Sequence, residues 1–118
     1  MNFRVSKDGR AAKAAVLRKL AFLFRNRTQA ENIASSGLDI DHEKIMQCLA
    51  DHDLDAATRL MPIEAANVFA VAGTPAECTD RLAQYLAVGL DEPVIEVTGT
   101  AQERMLALEV VREVAARQ

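Results

Sequence analysis

The sequence predicts an α/β chain that is predominantly helical, with one or two short strands. Three observations carry the prediction. Thr74, Pro75 and Glu77 have the spacing of a capping box with proline at the first helical position. Pro93 to Val97 is a short, β-branched run bounded by turn residues, and proline is tolerated where a strand starts. Thr100 and Glu103 repeat the capping box just after Gly99. A helix over 74–88, a strand over 93–97 and a helix over 101–116 follow. These make about one and a half turns of β/α architecture, so residues 1–118 read as a single, partial domain.

Taken in order, residues 2–5 look extended, and Ser6 to Gly9 has turn chemistry. From Arg10 to about Asn26 the alanine-rich composition favours helix, with Val16, Leu20, Leu23 and Phe24 as its buried stripe. A second helical piece from Gln29 to Ser36 ends at Gly37. Another starts after Asp41, with Ile45, Met46, Leu49 and Ala50 apolar. Asp53 caps the next short helix, whose Leu54, Ala57, Leu60 and Met61 face inward. Pro62 to Ala72 fits a helix begun by Pro62 and ended by Gly73, although Val68 to Ala72 alone also fits a buried strand. With the helical reading, 10–72 is one helical excursion.

In the 74–88 helix, Cys78, Leu82, Tyr85 and Leu86 form the apolar face, Glu77 and Arg81 pair outside, and Gly89 supplies the stop. The last helix has a wide apolar arc: Met105, Leu108, Val111 and Ala115 are joined by Leu106, Val110 and Val114. Glu113 and Arg117 have the spacing of a helical ion pair.

Half of the residues are hydrophobic, which argues against disorder. No apolar run approaches the roughly 20 residues that cross a bilayer. Four Phe, one Tyr and no Trp leave little for stacking on bases, so no nucleic-acid or membrane partner is expected. Charge is lopsided. Residues 1–32 carry eight Lys/Arg against Asp8 and Glu31, a net of +6, while the rest of the chain nets −9. Two solvated faces that neutralise each other across the fold account for this; a basic N-terminal helix meeting an anionic surface is the alternative. Cys48 and Cys78 stand alone at apolar helical positions, which reads as buried, reduced thiols in a cytoplasmic protein.

Motifs for chemistry are sparse. Cys48 and His52 are four apart, with His42 further off, but a zinc site needs about four ligands. No metal site is expected; Cys48 belongs in the core and His52 at the surface. Asp51, Asp53 and Asp55 imitate the opening of a calcium loop, yet Ala56 and Pro62 stand where that loop needs glycine and glutamate. No nucleophile elbow or glycine-rich phosphate loop is present. Thr98, Gly99 and Thr100, leaving a strand and entering a helix, offer a phosphate free N–H groups and the positive helix end. The same residues also make an ordinary capped turn.

The run Ala72 to Cys78, then Arg81, Leu82 and Tyr85, then Gly89 to Ile95, resembles the C-terminal part of the luciferase-like monooxygenases. These are flavin- or deazaflavin-dependent oxidoreductases built on a (β/α)8 TIM barrel. Phe3 to Ala12 is similar to the end of the seventh barrel strand entering its helix, and Asn32 to Gly37 to the family's variable excursion. The resemblance implies a C-terminal fragment of the barrel, with a strand-seven remnant at 2–5 and strand eight at 93–97. Barrels of this kind take about 250 residues and draw catalytic groups from several strands. The chain therefore lacks most of the active site: no catalytic residue is assigned, and FMN or deazaflavin belongs to the full-length family. By the same resemblance, loops after strands seven and eight meet phosphate, which points to Ser6, Lys7, Thr98, Gly99 and Thr100. The expected partners are the missing barrel portion or a second copy covering the open faces.

Overall fold

The computed structural model describes residues 1–89 and 95–117. Strand β1 (Asn2–Val5) runs through the middle of the molecule. Helix α1 (Gly9–Leu23) follows, its first turn closed by Asp8, which accepts from the backbone N–H groups of Arg10 and Ala11 at 3.1 and 3.2 Å. It stops short of the expected Asn26. That residue is extended (φ −143°) and its side chain accepts from Thr28 N–H, opening a 3-10 turn over Arg27–Gln29. Helices α2 (Ala30–Ser35), α3 (His42–Ala50), α4 (Leu54–Arg59) and α5 (Ala65–Val68) make up the excursion. Asp41 and Asp53 cap α3 and α4 through side-chain oxygens, the latter as the sequence indicates.

Strand β2 (Ala70–Gly73) corrects the sequence reading of Pro62 to Ala72 as helix; only Ala65–Val68 is helical there. All four residues of β2 are buried. A short apolar run does not reveal its period, and alanine favours helix, but pairing with β1 overrides that preference. Helix α6 (Pro75–Ala87), strand β3 (Glu96–Val97) and helix α7 (Ala101–Ala116) complete the described chain. Pro93 and Val94 of the expected strand lie outside the described residues. The described residues thus hold three strands, where one or two were expected.

The strands form an open parallel sheet in the order β2-β1-β3. Phe3 sits opposite Val71 on one side and Val97 on the other. Because side chains alternate between faces, this register divides the interior in two. Phe3, Val5 and Val71 pack with Cys78 and Leu82 of α6 and with Ala107, Val110 and Val114 of α7. Ala70 and Ala72 turn the other way, onto Val16, Leu17, Leu20 and Ala21 of α1 and the short helices. Each large side chain buried in this way contributes about 1.5–3 kcal/mol. Helices therefore cover both faces of the sheet. In a complete barrel the helices lie outside only, and each strand neighbours the next along the chain. The β1–β3 pair agrees with adjacent barrel strands; β2, on the far flank of β1, does not belong to that order.

The lopsided charge is drawn together by this fold. Lys13, Arg18, Lys19 and Arg27 pair with Glu77, Asp55, Glu96 and Glu43, and Arg4 pairs with Glu103. Glu113 and Arg117 pair at 3.3 Å, as their spacing indicates. Glu77 and Arg81 do not pair: Arg81 instead donates to the carbonyl of Asn67 at 2.6 Å and lies against the ring of Tyr85. Among the described residues no helix is long and apolar enough to cross a membrane.

Candidate functional site

Parallel pairing brings the C-terminal ends of all three strands to one edge, where α1, α6 and α7 begin. Ser6, Lys7, Thr98, Gly99 and Thr100 all lie on this edge, because Phe3 and Val97 are in register and the chain leaves both strands in the same direction. Ser6 leans towards β2: its N–H donates to the Gly73 carbonyl at 3.0 Å, and its hydroxyl accepts from Asp8 N–H at 3.2 Å. Lys7 is exposed and outside any ion pair among the described residues. Thr98 N–H donates to the Phe3 carbonyl at 3.2 Å, extending the β3 ladder. Thr100 is the N-cap of α7.

Both expected capping boxes form. At α6, Glu77 N–H donates to the Thr74 hydroxyl at 3.3 Å, while Thr74 N–H donates to the Glu77 carboxylate at 3.2 Å. At α7, Glu103 N–H donates to the Thr100 hydroxyl at 3.2 Å, and Thr100 N–H donates to the Glu103 carboxylate at 3.1 Å. Each carboxylate has a second, distant partner. Lys13 Nζ lies 3.0 Å from Glu77, and the Arg4 guanidinium lies 3.3 and 3.4 Å from the two oxygens of Glu103. Lys13, then the Thr74 amide, holds the Glu77 carboxyl below its usual range; the Thr100 amide chiefly, with Arg4 adding to it, does so for Glu103 against a smaller effect of burial.

The glycines at these turns make room for those carboxylates. Gly73 and Gly99 have φ of +149° and +115°, where side chains rarely go. A Cβ at Gly73 would sit 3.0 Å from a Glu77 carboxylate oxygen. One at Gly99 would sit 3.0 Å from Arg4 Nε and 3.1 Å from Glu103 Cβ. The close approach is thus between parts of this chain.

Arg4 and Lys13 were counted from the sequence only among the eight basic residues of 1–32. Alternation in β1 carried a signal for Arg4, since Asn2 and Arg4 are polar where Phe3 and Val5 are buried.

The remaining candidates are structural. His42 Nε2 lies 3.0 Å from the carbonyls of both Phe24 and Asn26. Two acceptors at one nitrogen require it to carry the hydrogen, so the ring closes the C-terminal end of α1. His52 is exposed at a left-handed turn (φ +58°). Asp55 faces Arg18, whose hydrogen bond lowers the carboxyl below its usual range. Among the described residues no three candidate ligands gather around a metal position. Cys78 is fully buried and its thiol is pushed up to about 12 by desolvation, so it is inert as a nucleophile. Cys48 is half-buried rather than in the core.

Two surface grooves lie away from the strand edge. One of about 400 Å³ separates the ends of α1 and α3 and is lined by Phe22, Arg25, Asn26, Met46, Leu49 and Ala50. A second, of about 210 Å³, lies on α6 beside Arg81, Gln84, Tyr85 and Val88. Comparison with protein-family models, with curated proteins and with solved structures finds no match to this chain.

Proposed function

We propose that the chain is the C-terminal portion of a luciferase-like, flavin- or deazaflavin-dependent oxidoreductase, and that alone it neither holds the cofactor nor turns over. The observation that supports this best is the parallel β1–β3 pair, which joins the two segments assigned to barrel strands seven and eight as direct neighbours. In this reading β2 takes the flank of β1 where a complete barrel seats the preceding strand, so the chain covers that edge with its own residues. The outline supports a partial body: the radius of gyration is 14.8 Å, against about 13.5 Å for a compact domain of this length. The two free thiols suit a reducing, cytoplasmic setting.

A flavin phosphate at the strand edge would find several donors already taken, with exposed Lys7 left outside any ion pair among the described residues. The amide N–H groups of Thr100 and Glu103 and the guanidinium of Arg4 are engaged by the chain itself, and no catalytic step runs through that group.

Titrating the purified chain with FMN and with a deazaflavin cofactor tests the reading. Neither binding nor turnover is expected, and stoichiometric binding with turnover would contradict it. The reading frame upstream of Met1 tests the ancestry: barrel strands in frame support it, and unrelated coding sequence opposes it.

A second reading, a self-associating helical module without catalysis, is favoured by one feature. Met105 and Leu108, one turn apart on α7, are 65% and 52% exposed. Sedimentation distinguishes the outcomes, since a stable monomer opposes self-association.

A further inference from the structure

We propose that two copies of this chain associate through the outer face of α7, with the two helices side by side and parallel, and Arg104 of each paired with the partner's Glu109. The proposal rests on the second reading above, self-association, and gives it a surface and an orientation; it does not depend on an oxidoreductase ancestry.

The inner side of α7 is already used. Ala107, Val110 and Val114 turn onto the sheet, with Leu106 and Val111 packed beside them. On the opposite side Ala101, Met105, Leu108, Arg112 and Ala115 are all exposed. They follow one another at alternating steps of four and three residues, the spacing of a coiled-coil seam, with Met105 and Arg112 at a and Ala101, Leu108 and Ala115 at d. A helix face left to solvent is ordinarily polar, yet Met105 and Leu108 stand 65% and 52% exposed at the middle of this one.

Charge identifies the occupant as a second copy. Arg104 and Glu109 flank the seam on its two sides, at g and e. Both are exposed, and neither side chain has a partner among the described residues. In a parallel pair, g of one helix meets e of the following heptad on its neighbour, so Arg104 reaches the partner's Glu109 and the two-fold axis makes the contact twice. Antiparallel helices would set arginine beside arginine and glutamate beside glutamate, which opposes that orientation. Arg112, a charged residue at a single a position, costs stability and holds the register. Its methylene stem lies along the seam while the guanidinium stays in water. Two heptads are a short seam, so the contact belongs to the class below about 1,200 Å² and the dimer is weak and reversible.

Sedimentation equilibrium at chain concentrations up to about 1 mM tests the proposal, with circular dichroism confirming that each variant is folded. The unaltered chain is expected to show a reversible monomer–dimer equilibrium. Leu108→Lys should weaken it by about tenfold or more, as should Met105→Lys, the substitute if the first variant lacks the native spectrum. Arg104→Glu should weaken it by about threefold or more, because both cross-helix pairs become repulsive, and adding Glu109→Arg to that variant should restore the original strength. A monomer at every concentration would overturn the proposal together with the self-association reading. A dimer indifferent to the lysine substitutions would overturn the α7 surface and leave self-association standing. Arg104→Glu without loss, or the double reversal without recovery, would overturn the parallel pairing. Cofactor titration reports on the oxidoreductase reading separately, so either can fail without the other.

Discussion

The heads of α6 and α7 are built from the same box and loaded differently. Thr74 with Glu77, and Thr100 with Glu103, make the same reciprocal bonds within 0.1 Å of each other. Glu77, 47% exposed, then reaches a lysine on α1, whereas Glu103, 16% exposed, reaches an arginine on the central strand. The local motif fixes where a helix starts, and the partner from the far end of the chain decides what that start is worth. Arg4 and Glu103 are 99 residues apart, so their contact ties the first strand to the last helix.

Substitutions break this comparison with graded effects. The largest is expected from Gly99→Ala, which adds a Cβ at φ +115° against Arg4 Nε and Glu103; a loss of about 2 kcal/mol or more in urea unfolding checks it. Glu103→Ala removes the reciprocal half of the capping box and leaves Arg4 without its anion. About 1–3 kcal/mol is expected, and clearly more than for Glu77→Ala measured in the same way. Thr74→Ala and Thr100→Ala each remove one capping acceptor and should cost about 1 kcal/mol, with little difference between them. Lys13→Met should cost least, under about 0.5 kcal/mol, because the Glu77 end of its ion pair is half-exposed to solvent.

Acid sharpens the same contrast. Glu77, Glu103, Asp55 and Glu96 all have folded-state carboxyls held below their unfolded values. Such groups stabilise the fold above the unfolded value and lose that contribution as pH falls through the lowered one. The melting temperature should therefore be steady at neutral pH and fall below about pH 4.5, the unfolded value for glutamate. Salt should weaken the pairs of Asp55 and Glu96 before those of Glu77 and Glu103, since their side chains are 69% and 65% exposed.

Legibility in the sequence followed how local the cause was. Caps at Asp53, Thr74 and Thr100 were legible because three or four residues specify them. β3 was legible as strand because Pro93 to Val97 is β-branched and bounded by turn residues, while residues 2–5 were legible only as an extended stretch. β2 was not, because Ala70 to Ala72 carry helix-forming alanine and become strand only by pairing with β1. Arg81 was read as a partner of Glu77 from spacing, but the carbonyl of Asn67 and the ring of Tyr85 take it instead. Ser6, Lys7 and Thr98 to Thr100 were grouped only through the resemblance to barrel strands seven and eight; the parallel β1–β3 pair does bring their loops to one edge. That Arg4 and Glu103 pair beside Gly99 was not legible, because nothing in either local stretch refers to the other.

The most direct test of the two unequal clasps is a side-chain carboxyl NMR titration of Glu77 and Glu103 at low and high salt. Glu77 owes its lowered pKa first to Lys13, and Glu103 first to a backbone amide. The depression at Glu77 is expected to shrink in high salt while that at Glu103 persists. Equal loss at both positions, or a normal glutamate titration at Glu103, would contradict the account.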